Sequence, residues 1–228
     1  MNIKGIGINI GNGSGSETGS FADGKIKGVG SFVGGIYKDL VIDGVCNITG
    51  DLEAETIKVN GVCNCSGNIY AKVFDCDGVL EIEGNLRAGT IDIDGVVTVN
   101  GKKIEADRIS CDGVLNVEGE ISADIIDAKG KLNAEEIVGD HIIIRSYWKS
   151  GIGGLFLKLG QKIGEKWNAK YSVIGLIEGT TVELRGVRAE SVSGHDVYIG
   201  KNCHIDRVNA SGELSVHPTA KVDEVINS

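Results

Sequence analysis

The sequence predicts an all-β fold, a three-sided parallel β-solenoid with one coil per repeat, and three observations predict it. Glycine returns every 17 residues at Gly44, Gly61, Gly78 and Gly95, slips by one to Gly113, and returns at Gly130. A second glycine follows six places behind at Gly50, Gly67, Gly84, Gly101 and, after the slip, Gly119. Within each repeat the apolar residues fall in three pairs spaced by two, as in Leu80/Ile82, Leu86/Ala88 and Ile91/Ile93. A short fixed period means one unit stacked on copies of itself, none able to bury its apolar face alone.

Residues 1–35 are expected to be a flexible arm. Ile6, Ile8 and Ile10 alternate, but Gly11 to Gly35 is too rich in glycine and serine to hold a coil. The core is expected over 36–145, entered near Ile36 through Leu40 and Ile42. A spacing of two puts both members of a pair on one face of a strand, and the longer gaps between pairs require the chain to turn three times per repeat. Glycine supplies backbone freedom at two of those corners. The fourth repeat is one residue longer, and Lys102 or Lys103 can loop out. Cys46, Cys63, Cys65, Cys76 and Cys111 share columns with Leu, Val and Ile of other repeats, so the thiols read as small core hydrophobes. The paired C-x₂-C spacing of a zinc site is absent.

The period dissolves after Ile144, and 146–171 reads as a basic amphipathic helical insert. Trp148, Ile152, Leu155, Phe156, Leu159, Ile163 and Trp167 recur at steps of mostly three and four, which describes one helical face. Between them stand Lys149, Lys158, Lys162, Lys166 and Lys170 against one acid, Glu165. Lysines, an apolar stripe and flanking tryptophans suit a helix lying in a membrane interface. The same helix could equally pack on the solenoid's side or cap an end that exposes unpaired strand groups. From 172 to 228 the period resumes in looser form through Val182/Leu184, Val187/Ala189, Val197/Ile199, Cys203/Ile205, Leu214/Val216 and Ala220/Val222. These coils either continue the first stack or form a second one beside it.

Composition narrows the function classes. A net charge of −9 argues against nucleic acid, whose phosphates need a basic face. No apolar run reaches the ~20 residues of a membrane span. Met1–Ser20 lacks the continuous apolar core of a secretory signal, so a cytoplasmic location is expected. His204 and Asp206 could share an outward face, and Ile199–Ile205 is similar to the hexapeptide repeat of left-handed β-helix acyltransferases, which use a histidine as general base. The uneven gaps of the first coils oppose that reading. Asp140-His141 and His195-Asp196 are adjacent pairs pointing to opposite faces, and His141, His195, His204 and His217 read as surface or turn residues. Asp75, Asp77, Asp92, Asp94 and Asp112 form an acidic ladder without the nonapeptide of a calcium-binding solenoid. No phosphate loop or nucleophile elbow occurs. The chain reads as a non-enzyme with no cofactor, metal or nucleotide.

Ile42–Val45 and Ile93–Val96 read Ile-Asp-Gly-Val, and Gly50–Leu52 and Gly84–Leu86 read Gly-Asp-Leu and Gly-Asn-Leu. On these motifs, Ile36 to Ile144 resembles the bactofilins, bacterial polymer-forming cytoskeletal proteins. The resemblance implies a right-handed three-sided β-helix that polymerises end to end without nucleotide and scaffolds other proteins, often at the inner face of the cell membrane. The insert and the second block of coils resemble longer forms of the family. The expected partners are further copies of the chain, inner-membrane lipid and a protein client. Self-association is expected at the terminal coils, through Leu40 and Ile42 at one end and Leu214, Val216, Val222 and Val225 at the other. A solenoid that binds a client without polymerising is the alternative.

Overall fold

In a computed structural model, residues 23–146 and 171–227 are described. They form one β-solenoid of about 11 turns. All its strand pairings are parallel. It opens with β1 (Gly24–Ile26), β2 (Val29–Ile42) and β3 (Val45–Val59). Short and long strands then alternate as β4 (Val62–Cys65), β5 (Ile69–Cys76), β6 (Val79–Ile82), β7 (Leu86–Ile93), β8 (Val96–Val99), β9 (Lys103–Cys111), β10 (Val114–Val117) and β11 (Glu120–Ala128). The stack continues through β12 (Lys131–Arg145), β13 (Ser172–Arg185), β14 (Val187–Ile199), β15 (His204–Ala210), β16 (Leu214–Val216) and β17 (Lys221–Asn227).

The apolar pairs become ladders down the inside. Cys46, Cys63, Leu80, Val97, Leu115 and Leu132 stand one above another in register. So do Leu40, Ile57, Phe74, Ile91, Ile109 and Ile126. Each ladder contact sits at the ~4.8 Å strand spacing of a sheet, so every coil lends the next a dry surface. All six cysteines are free and buried. Burial pushes the Cys76 and Cys111 thiols up to about 12. They are inert core residues, as their columns predict. The extra residue of the fourth repeat falls at Lys102. Gly101 still stacks over Gly84, while the Lys103 amide takes the Asn85 side chain at 2.9 Å.

Two expectations change. The repeating glycines are not there chiefly for backbone freedom, since the described glycines with positive φ are Gly28, Gly50 and Gly186. A Cβ on Gly61, Gly78, Gly95 or Gly113 would instead lie 1.9–2.0 Å from the carbonyl oxygen of the glycine one coil earlier. The period marks a corner where backbone rests on backbone. The stack also begins before Ile36: Gly24–Ile26 and Val29–Ile42 are strands, so coil structure extends into the stretch expected to be an arm.

The later coils continue the first stack. Ile137 pairs with Ile177, Ile142 with Val182 and Ile144 with Leu184, a separation of 40 residues. Of those, the 24 from 147 to 170 lie outside the described residues, which leaves 16, the same separation as between Ile121 and Ile137. The expected insert residues Trp148, Ile152, Leu155, Phe156, Lys158, Leu159, Lys162, Ile163, Lys166 and Trp167 all fall in that stretch. The chain departs and returns at one corner. Ser146 and Ser172 hydrogen-bond through their hydroxyls, and the Ser172 hydroxyl accepts the Leu132 amide at 2.9 Å.

Candidate assembly ends and outer faces

The last turn presents apolar side chains that no further coil covers among the described residues. In β16, Leu214 is half-buried and Val216 is 41% exposed; in β17, Val222 is half-buried, with Val225 at 46% and Ile226 at 44%. Their columns run inward along the stack, Leu214 under Val197 and Val225 under Val208, so they are core positions without an outer neighbour. Four of the expected end residues therefore stand at the end.

Leu40 and Ile42 do not. Both are 1% exposed, because β1 pairs Gly24 with Leu40 and Ile26 with Ile42. The first turn instead offers Phe32 and Tyr37, partly buried side chains in register with Ile48 and Ala54. The sequence signal for them is faint but present. Gly28 stands 16 rather than 17 residues before Gly44, and its Val45 amide contact at 2.7 Å keeps the corner.

The histidines sit on the outer surface. His195 Nδ1 lies 2.9 Å from Asp196, and His217 bonds Thr219. His204, Asp206 and Asp223 bring ligand atoms within 4.8 Å of one another. Lys221 Nζ already stands among these donors, 3.1 Å from His204 Nε2 and 2.8 Å from Asp223. The cluster thus carries its own cation, which a metal would have to displace. A shallow groove follows the small-residue column Ala88, Ala106, Ala123, Gly139, Gly179 and Gly194, with Glu105, Asp107, Asp124 and Asp140 on its rim.

The acidic ladder is solvated and partly neutralised. Lys58 bridges Asp75 at 2.8 Å and Asp77 at 3.1 Å. At Asp94, burial and then the charges of Asp92, Asp112, Asp77 and Asp75 hold the carboxyl above its ordinary 3.8. A raised carboxylate favours the folded state only while protonated, so its contribution is present below 3.8 and lost as pH rises through the raised value. Asp94→Asn should therefore raise Tm at pH 7, with the difference from the parent vanishing near about pH 3 in calorimetry.

No family model matches the chain. A curated protein of Bacillus subtilis (strain 168), named as uncharacterized protein YhbE, is 42% identical over 48 residues, which is 21% of this chain and 20% of that protein. The chain thus matches about a fifth of that relative's length. No solved structure matches. No helix among the described residues is long and apolar enough to cross a membrane.

Proposed function

We propose that this protein is a structural, self-assembling scaffold of the bactofilin kind, a right-handed, three-sided solenoid that polymerises end to end without nucleotide. The observation that carries the reading is the last turn, where Leu214, Val216, Val222 and Val225 continue core columns into solvent beside unpaired strand groups. Such an edge is a template for a further strand, and a second copy supplies one with matching columns. At the first turn Phe32 and Tyr37 are the counterpart. The proposed location is the cytoplasm, and a protein client would bind along the sides of the rod. The protein is proposed to have no catalytic role, since the His204 cluster faces outward and is closed by Lys221.

Negative-stain electron microscopy with sedimentation, on purified protein in nucleotide-free buffer, tests this. Filaments or sheets are expected. Small uniform particles at all concentrations would replace the reading with that of a monomeric adaptor, for which the groove over Ala106 and Ala123 is the binding face.

A further inference from the structure

Two of the six cysteines are neighbours across one rung of the stack. Cys46 in β3 stands in register with Cys63 in β4, and both point into the core, since Val45 and Val62 beside them are the outward positions. No other two cysteines are so placed. Cys65 stands between Ile48 and Ile82, Cys76 between Val59 and Ile93, and Cys111 between Ile93 and Ala128. No cysteine occurs between Cys111 and Cys203 or after it.

Register sets the separation. Opposed residues of neighbouring strands lie about 4.8 Å apart. A disulfide needs Cα atoms about 4.4–6.8 Å apart and side chains that do not diverge, so the backbone already holds Cys46 and Cys63 at bonding distance. Cys65 is a poorer partner for Cys63, because two residues along one extended strand lie about 6.7 Å apart. The two thiols also interact. A hydrogen bond from the Cys63 thiol holds the Cys46 thiol below the ordinary cysteine range. The same bond, together with burial, pushes the Cys63 thiol up.

The two sulfurs differ in access. The rung before Cys46 is Gly30, which puts no side chain over it. A Cβ on Gly30 would meet, among the described residues, only the Phe32 ring, at 3.3 Å. Phe32 belongs to the neighbouring column, in register with Ile48, and its ring leans across the space that a side chain at position 30 would fill. It is only partly buried. Movement of one ring at the first turn therefore opens a way to Cys46, whereas Cys63 is roofed by Cys46 itself.

We propose that Cys46 and Cys63 are a reversible redox pair, closed to a disulfide between neighbouring coils by a hydroperoxide that enters past Phe32. The Cys46 thiolate attacks a peroxide oxygen, the O–O bond breaks, and with hydrogen peroxide the leaving hydroxide takes up a proton as water. Cys63 sulfur then attacks the Cys46 sulfenic acid. The S–O bond breaks as the S–S bond forms, and the hydroxyl leaves with the Cys63 proton as a second water. The thiols give up two electrons, and the peroxide accepts them. A small thiol reverses the bond by exchange. A disulfide that opens again suits the proposed cytoplasmic location, where such bonds are transient and redox-sensing. The pair is independent of the scaffold reading, since a filament former and a monomer could both carry it.

Full-length protein at low concentration, freed of reductant, is treated with hydrogen peroxide, blocked with N-ethylmaleimide and digested with trypsin. Cleavage after Lys38, Lys58 and Lys72 puts Cys46 and Cys63 on separate peptides, 39–58 and 59–72. The expected product is those two peptides joined, short of two hydrogens, from protein that runs as a monomer on a non-reducing gel. Its β-sheet circular dichroism should be unchanged, and dithiothreitol should restore both thiols. Cys65→Ala should give the same product, whereas Cys63→Ala should stop at a Cys46 sulfenic acid that dimedone labels. Phe32→Ala should close the pair severalfold faster. Joined peptides that form only in urea would overturn the proposal, because the folded chain would then keep the thiols out of reach. So would a bond from Cys63 to Cys65, a bond between two copies, or equal rates in the parent and Phe32→Ala. Filament formation is scored separately by sedimentation, so failure here is distinguishable from failure of the scaffold reading.

Discussion

Val216→Asp combined with Val225→Asp is expected to abolish sedimentation into filaments while leaving the β-sheet circular dichroism of the protein intact. Both side chains are roughly half exposed on the last turn, so in the isolated chain each new carboxylate stays hydrated and folding changes little. In an end-to-end contact the same groups would lie about 4.8 Å from a facing strand, stripped of water and without a cation. An unpaired charge desolvated at an interface costs several kcal/mol. A penalty of only about 3 kcal/mol raises the concentration needed for assembly about a hundredfold. Phe32→Asp with Tyr37→Asp is the matching change at the first turn. Leu40→Asp with Ile42→Asp is not a test of assembly, because those side chains are 1% exposed and the variant would fail in folding. Filaments from both end variants, at the parent's concentration dependence, would remove the ends as the site of self-association.

The sequence carried the inner surface of this fold and much less of the outer one. Inward columns are legible because burial selects by chemistry at fixed spacing, so Cys63 can be recognised as a core residue from Leu80 and Val97 one and two coils away. Continuity across the insert was not legible. It depends on Ser146 and Ser172 meeting at one corner, a tertiary fact that no local pattern encodes. The first coil was obscured because Gly30 and Gly35 occupy inward positions where later coils carry Cys46 and Leu52, which breaks the apolar grammar while leaving the register intact. An outward valine ladder stood in plain sight after the corner glycines from Gly28 to Gly113, as Val29, Val45, Val62, Val79, Val96 and Val114. It passes unnoticed when alternation is used only to find the core, since an outward valine is ordinary taken singly. Six in register make a face.

Gly78→Ala is expected to destabilise the protein by more than about 3 kcal/mol, at or beyond the upper end of an overpacked core. The added methyl would lie 2.0 Å from the Gly61 oxygen and 2.9 Å from the Asn60 carbon, where ordinary contact begins at 3.4 Å. The obstacle is backbone, so no side chain can swing away, and the coils must part by more than an ångström. Parting them strains the Gly78 amide bond to Val59 at 3.0 Å and the Val79 bond to Gly61 at 2.9 Å. Each buried polar group so orphaned costs about 1–3 kcal/mol. Stability in a solenoid is a sum over neighbouring coils, so the damage concentrates at one interface and denaturant unfolding should split into two transitions. Gly50→Ala is the control. Its methyl would meet nothing within 4 Å, and only its φ of +89° opposes the change, a cost of about 1–2 kcal/mol without loss of cooperativity. If the two variants unfold alike, the 17-residue glycine serves backbone conformation and not the contact between coils. If Gly78→Ala alone breaks the stack, the period that announces this fold is the imprint of one coil resting on the next.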